Sequence, residues 1–271
     1  KKKTTFKFPI GAISKTFMLP NPQSESTYLV ISLLEPVRIG ASQHFNIVLS
    51  FPDDLAIPEE TPWEADITDT AALHKLVGGA ELCPMEVKMS GSVVEILAKV
   101  VKTVSQKKLL GHQTSGFRSH TFEDHPIVKA QHKSNEGLLY CLKESMLFLH
   151  RPATIIPYAD MESIVFEASG GYSQTLSFTC HVKKAGSGVR SATEKLVFGG
   201  VYKKDVACLD TWFRDHKKIS VTNPDKDNDD IDLDEESDES DDSYDEGDDS
   251  DDDDDDDDDD SDFSDEGSSK K

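Results

Sequence analysis

"IVKAQHKSNEGLLYCLKESMLFLH", residues 127–150, sets the reading of this chain. Three short runs rich in Ile, Val, Leu, Tyr and Phe are separated by "SNEG" and by Lys143-Glu144-Ser145. Runs of this length and composition, bounded by turn residues, predict antiparallel strands. The pattern continues through "ATIIPYADMESIVFEAS" (153–169), "QTLSFTCHVKK" (174–184) and "EKLVFGGV" (194–201). "YKKDVACLDTWFRDHK" (202–217) then changes period. Tyr202, Val206, Leu209 and Phe213 recur at helical spacing, with Trp212 beside them. Several short strands closed by one helix predict an antiparallel sandwich or barrel with a C-terminal helical cap, and Trp212 in its core.

The residues upstream follow the same plan. "YLVISLLEPV" (28–37) and "HFNIVLSF" (44–51) read as strands, with a turn at "PNPQSES" (20–26). Residues 52–90, rich in Pro, Gly and acids, read as an irregular insertion anchored by Trp63. "SGSVVEILAKVVKTVSQKK" (90–108) predicts a helix. Ser92 and Glu95 have the spacing of a capping box. Val93, Val94, Leu97, Val100, Val101 and Val104 form the apolar stripe, and Lys107 and Lys108 suit the last turn. The organisation is therefore a first domain over 1–110, a linker over 111–126, a second domain over 127–222 and a tail over 223–271. Phe117 and Phe122 in the linker are expected to bury between the domains, making them one unit. The same architecture is used twice, in pattern rather than in identity.

The tail holds nearly all of the charge imbalance. From Asp225 onward lie 29 of the 52 acidic residues and 3 of the 29 basic ones, a net of −26. The remaining 23 acids and 26 bases leave residues 1–224 at +3. A run such as "DDSDDDDDDDDDDSDFSDEG" (248–267) has almost nothing to bury and repels itself, so it is expected to be disordered. Such a polyanion suits a basic partner and repels nucleic acid and anionic membrane alike. Phe263 and Tyr244 stand out in it, because disordered segments are poor in aromatics.

Other chemistries find little support. No apolar run approaches the length of a membrane span. Cys83, Cys141, Cys180 and Cys208 are widely separated and read as free thiols. His120, His125 and His132 lack a second cluster of ligands, so no metal and no cofactor is expected. "GSGVRS" (186–191) reads as a hairpin loop, and no catalytic motif is present.

Three stretches carry a resemblance: "TFMLPNPQSESTYLVISLLEPVRIGASQHFNIVLSF", "MSGSVVEILAKVVKTV" and "EGLLYCLKESMLFLHRPATIIPYADMESIVFE". They resemble the tandem pleckstrin-homology middle region of the structure-specific recognition protein family, which provides the small subunit of the nuclear histone chaperone FACT. Trp212 resembles the tryptophan typical of a pleckstrin-homology C-terminal helix, and the acidic tail fits the same family. The resemblance implies a mainly β fold with α: tandem pleckstrin-homology-like domains followed by an acidic tail. It implies a non-catalytic, chromosomal role in nucleosome reorganisation during transcription, replication and repair. Its implied partners are core histones (the 2A–2B dimer and the H3–H4 pair) and the large FACT subunit, with nucleosomal DNA contacted weakly or indirectly and no membrane. The chain starts partway through the first domain of that pattern. On this resemblance the domain that pairs with the large subunit is expected to precede it, and the HMG box that follows the tail in animal relatives is not in this sequence, so the chain is expected either to come from a form without one or to stop before it.

Within this resemblance the tail is expected to cover the 2A–2B dimer. Tyr244 and Phe263 would act as anchors, and Asp251 to Asp260 as the electrostatic run. Ser243 and Ser250, each with an acid three positions on, are candidate phosphosites. Lys129, Lys133, Lys143 and Arg151 are a candidate basic patch. The competing reading is a lipid- or peptide-binding adaptor with a solubilising tail. It needs cations in the turn between the first two strands of the second domain, where "SNEG" offers none.

Overall fold

A computed structural model describes residues 7–39, 42–64, 88–123, 125–149, 151–168, 173–183 and 193–227. All of them fall in one compact unit, 1–232. The first half is a four-stranded sheet. β1 (Ile13–Asn21), β2 (Ser26–Ile39) and β3 (Ser42–Pro52) form an antiparallel meander. Two small pairings follow. β4 (Ala56–Ile57) pairs with β7 (Gly91–Ser92), and β5 (Trp63–Glu64) with β6 (Lys88–Met89). Helix α1 (Val93–Ser105) leads into β8 (Leu109–Gly111), which docks parallel to β1. The sheet order is β3-β2-β1-β8.

Several local expectations are corrected here. Ser92 is the N-cap residue of α1, but its side chain makes no capping bond, so the capping box does not form. The helix closes at Gln106 in the left-handed region, φ 56°, leaving Lys102 as the cation of the last turn and Lys107 and Lys108 beyond it. Val94, Leu97 and Ala98 bring α1 onto Met18, Leu29, Leu49 and Phe51 of the sheet. Trp63 is 41% exposed, and residues 65–87 of the insertion it was expected to anchor lie outside the described residues. The cross-strand partner of Trp63 is Met89.

The second half is an eight-stranded sheet. β9 (Ile127–His132), β10 (Asn135–Cys141), β11 (Ser145–Leu149) and β12 (Thr154–Pro157) come first. β13 (Met161–Phe166), β14 (Thr175–Lys183) and β15 (Thr193–Tyr202) follow. Helix α2 (Lys203–Thr211) then continues as a π turn over Trp212–His216. The last strand, β16 (Ser220–Thr222), docks parallel to β13. The order is β12-β11-β10-β9-β15-β14-β13-β16. Each half thus ends in a helix and a three-residue strand laid parallel on its own sheet. The repeat expected from the pattern extends to this closing strand.

The β9–β10 hairpin turns on Lys133 and Ser134, both at positive φ (49° and 63°), as the right-handed twist of a two-residue loop demands. The turn therefore shares only Ser134 with "SNEG", and Asn135 already belongs to β10. Gly137 is required next to it. A Cβ there would lie 2.1 Å from the Leu149 carbonyl oxygen.

The two halves share a core through β10 and β11. Leu139, Cys141, Met146 and Phe148 point into the second half's own core. The alternating residues Leu138, Tyr140, Leu142, Leu147 and Leu149 pack instead on Phe17, Leu19 and Val30 of the first half. Two hydrogen bonds cross the same boundary: Tyr140 Oη donates to the Pro20 carbonyl (2.8 Å), and Asn46 Nδ2 donates to the Ala153 carbonyl (2.9 Å).

The linker is fixed to the second half. Asp205, fully buried in the first turn of α2, accepts from the backbone N–H groups of His120 (2.7 Å) and Thr121 (3.1 Å), and from the Thr121 hydroxyl. Ser115 Oγ donates to the Cys141 carbonyl. Phe117 lies in the second-half core, its ring 5.7 Å from that of Trp212 and not between the domains, whereas Phe122 packs against the shared cluster. Tyr202 is exposed at the start of α2, so the core stripe of that helix is Val206, Leu209, Trp212 and Phe213.

Trp212 is buried among Phe117, Tyr158 and Phe213, so Trp212→Ala is expected to cost about 3–5 kcal/mol. Thermal unfolding of the variant checks this. A second expectation concerns pH. His112 stands edge-on to His125 at 5.4 Å, and its pKa is lowered from 6.5 by burial first, then by His125 and Arg118. A histidine held neutral by the fold contributes stability that is intact above its ordinary pKa. That stability is lost as pH falls below 6.5 toward the lowered value. His112→Asn should therefore flatten the drop in melting temperature between neutral pH and about pH 5.

Candidate functional site

The hairpin β9–β10 and the strand β11 place the four basic residues named above. Lys129 on β9 faces Glu136, Nζ to Oε2 3.9 Å, with both side chains largely solvated. Such a pair contributes at most about 1 kcal/mol. Lys133 is in the hairpin turn, and Arg151 follows β11 at the same end, since Leu149, the last residue of β11, pairs with Leu138 and the strand is directed toward that turn. Lys143 lies beyond the other end of β10, roughly 20 Å away at the rise of a strand. Its carbonyl accepts from Lys217 Nζ at 2.7 Å. Lys129, Lys133 and Arg151 are thus brought to one end of the hairpin, and Lys143 is not.

Lys217 belongs to a structural cap. Its ammonium sits 4.2 Å from the centroid of Trp212 and 4.7 Å from that of Tyr158, while Trp212 Nε1 donates to Tyr158 Oη at 3.1 Å. Burial lowers the Lys217 pKa from 10.5, and burial likewise raises the Tyr158 pKa well above 10.0. The ammonium lies over the aromatic faces where the ring quadrupole attracts it. Sequence spacing could not reveal this contact, because Lys217 leaves the helix before it folds back.

Two of the described thiols, Cys141 and Cys180, are buried and held protonated. Burial pushes the Cys180 thiol up to about 12 and the Cys141 thiol higher still. Cys208 is half-buried, and Cys83 is outside the described residues. His132 Nδ1 donates to the Val197 carbonyl at 2.8 Å, and its ring stacks on Phe198 at 4.8 Å. That is a packing role. Among the described residues no three of His, Cys, Asp and Glu gather as metal ligands. Tyr244, Phe263, the Asp251–Asp260 run, Ser243 and Ser250 all lie outside the described residues, as does "GSGVRS".

A small antiparallel barrel-like sheet closed by a helix with a buried tryptophan, preceded by a second unit ending the same way, defines a tandem pleckstrin-homology-like protein. Residues 1–109 match the family model described as the SSRP1 PH domain, and residues 126–223 match that of the histone chaperone Rttp106-like middle domain. The chain is 27% identical over 222 residues to the FACT complex subunit Ssrp1 of Drosophila pseudoobscura pseudoobscura, covering 82% of this chain and 28% of the relative. It is 26% identical over 225 residues to the FACT complex subunit SSRP1 of Dictyostelium discoideum, covering 81% and 38%. To that of Vicia faba it is 29% identical over 168 residues, covering 61% and 24%. Two successive stretches of the chain are thus similar to the SSRP1 PH domain and to the Rttp106-like middle domain, and the relatives it resembles are FACT complex subunits. The chain spans well under half the length of these relatives.

The two-residue β9–β10 turn is too tight to converge several cations on a headgroup, and Lys133 is its one basic residue. The full chain is therefore expected to stay in the supernatant when vesicles containing phosphatidylinositol bisphosphate are pelleted. Sedimentation that depends on the phosphoinositide would restore the lipid-adaptor reading.

Proposed function

We propose that this chain is the histone-binding part of a FACT small subunit: a non-catalytic chaperone component that reorganises nucleosomes. The observation that carries the reading is the joining of three features in one chain. A block matched by the SSRP1 PH and Rttp106-like middle models is followed by a tail of net charge −26. The rigid block docks on histones, with the H3–H4 pair as its target, and the tail covers the 2A–2B dimer where DNA has lifted away. The large FACT subunit is the partner within the complex, and the setting is nuclear chromatin.

The physical logic of the tail rests on screening and burial. At physiological salt the Debye length is about 8 Å, so the charge acts only on a surface it already touches. Histone surfaces that normally hold DNA are dense in Lys and Arg, and a flexible polyaspartate competes with phosphate for them. Charge alone gives no register, because Asp251 to Asp260 are interchangeable. Phe263, and more weakly Tyr244, supply one. A ring seated in a pocket on the partner contributes about 1.5–3 kcal/mol and is unaffected by salt. Phosphorylation at Ser243 or Ser250 would add about −1.5 to −2 charge each and strengthen the electrostatic part.

Titration of the histone 2A–2B dimer into the full chain at several salt concentrations separates the two contributions. Phe263→Ala is expected to weaken binding by a similar factor at low and high salt. Replacing Asp251 to Asp260 with Asn is expected to weaken it mostly at low salt and to flatten the salt dependence. An affinity unmoved by Phe263→Ala at every salt concentration leaves the tail a simple polyanion.

A further inference from the structure

A cavity of about 810 Å³ opens at the end of the second half's sheet where β15 turns into α2. Its walls come from separate segments: His120 and Thr121 of the linker, Gln174 ahead of β14, and Tyr202, Lys203 and Lys204 at the start of α2. Hydrogen bonds fix them. The Lys203 N–H donates to the Gln174 carbonyl at 3.1 Å, and the Asp205 carboxylate holds the backbone of His120 and Thr121. The chemistry of the cavity is one-sided. Lys203 and Lys204 have no carboxylate partner among the described residues, and no Asp or Glu lines the cavity. Asp205 beside them is fully buried and already accepts from the His120 and Thr121 N–H groups and the Thr121 hydroxyl. Tyr202 adds an aromatic wall, 39% exposed. An acidic segment with one apolar side chain fits these walls.

Sheet order brings such a segment close. β16 is an edge strand parallel to β13, so it runs toward the end of the sheet at which β14 begins and β15 finishes. Thr222 is level with Val165 and, across β13, with Thr179. Gln174 lies two strand spacings across and five residues along from there, about 19 Å away. Beyond Thr222 the chain makes one helical turn over Pro224–Asp227 and continues as Asn228-Asp229-Asp230-Ile231-Asp232. That length of chain reaches about 25 Å, enough to bring its aspartates to the cavity. In an extended segment Asp230 and Asp232 share one side and Ile231 takes the other. The Asp251–Asp260 run has the same charge but no apolar side chain.

We propose that the cavity at the start of α2 is the docking site of this chain's own Asp229–Asp232 segment. Asp230 and Asp232 meet Lys203 and Lys204, and Ile231 packs on Tyr202. The segment is tethered beside the cavity, at an effective concentration on the order of millimolar that a separate acidic protein must overcome. The contact clasps the root of the acidic tail to the block, so that the residues beyond Asp232 are the ones left for a basic partner. It stands apart from histone binding, and its test needs no histone.

The test uses the full chain and a carbodiimide, which joins a carboxylate to an amine only where the two are in contact. Mixing isotope-labelled with unlabelled chain separates links within one chain from links between copies, and peptide mass spectrometry locates them. Asp229, Asp230 or Asp232 is expected to link to Lys203 or Lys204 within a single chain, more than to any other lysine before β16, and less as salt rises. Ile231→Ser leaves every charge in place and should lower the yield about three-fold or more. With Asp229, Asp230 and Asp232 all replaced by Asn, amide hydrogen exchange should quicken at residues 120–121 and 202–204. Links spread evenly over the lysines, links to Lys203 and Lys204 from Asp251–Asp260 instead, or a yield indifferent to Ile231→Ser overturn the proposal. So do an absence of these links at low salt and links found only between copies, since the occupant is then a second chain.

Discussion

From Leu138 to Cys141 of β10 and throughout β11, neither side of the hairpin faces solvent. On one side Leu139, Cys141, Met146 and Phe148 complete the core of the second half. On the other, Leu138, Tyr140, Leu142, Leu147 and Leu149 complete a core that also needs Phe17, Leu19 and Val30. Pulling the halves apart would expose four leucines on this hairpin alone, at about 1.5–3 kcal/mol each. That rivals the 5–15 kcal/mol by which an entire domain is stable. The linker then has little freedom left. Asp205 fixes His120 and Thr121, and Phe117 is committed to Trp212. These constraints draw the described residues of both halves into one compact unit.

Much of this was legible in the sequence, and the reasons are physical. Strands with β-branched and aromatic residues between turn residues identify themselves locally, and so does the amphipathic period of "VVEILAKVVKTV". Trp212 was legible as core from its helical neighbours. The unbroken apolar text of "LLYCL" and "SMLFL" signalled strands, but not that each belongs to two cores at once, because periodicity reports burial and not the identity of what buries it. The turn at Lys133 and Ser134 was misplaced because neither residue is a strong former of left-handed backbone. Tertiary context fixed it, with the Gly137 approach to Leu149 close by. Ser92 lacked its capping bond although its spacing to Glu95 was right, since spacing does not orient a hydroxyl. The Asn46–Ala153 contact joins residues 107 apart, beyond any local pattern.

The candidate site divides along the same line. The tail declares its chemistry through composition alone, because a solvated polyanion needs no fold to be one. The block conceals its chemistry, because a usable surface depends on which strands become edges. Edge status is a property of sheet order, and sheet order is set by long-range pairing such as β15 against β9 through Gly199 and Gln131. Lys143 illustrates the cost of reading a patch from proximity in sequence. It is close to Lys133 along the chain and at the opposite end of the strand between them.

Two-sided burial also shapes how this sequence can drift. Leu138 and Leu139 are adjacent in the chain, yet they answer to different packing problems. A change of volume at Leu138 must be absorbed by Phe17, Leu19 or Val30, more than a hundred positions away, whereas one at Leu139 is absorbed by Phe178 or Phe198 within the second half. Neighbouring positions of β10 should therefore evolve on separate schedules, each tied to a distant set of correspondents. The history of the two halves is stitched together one residue in every two.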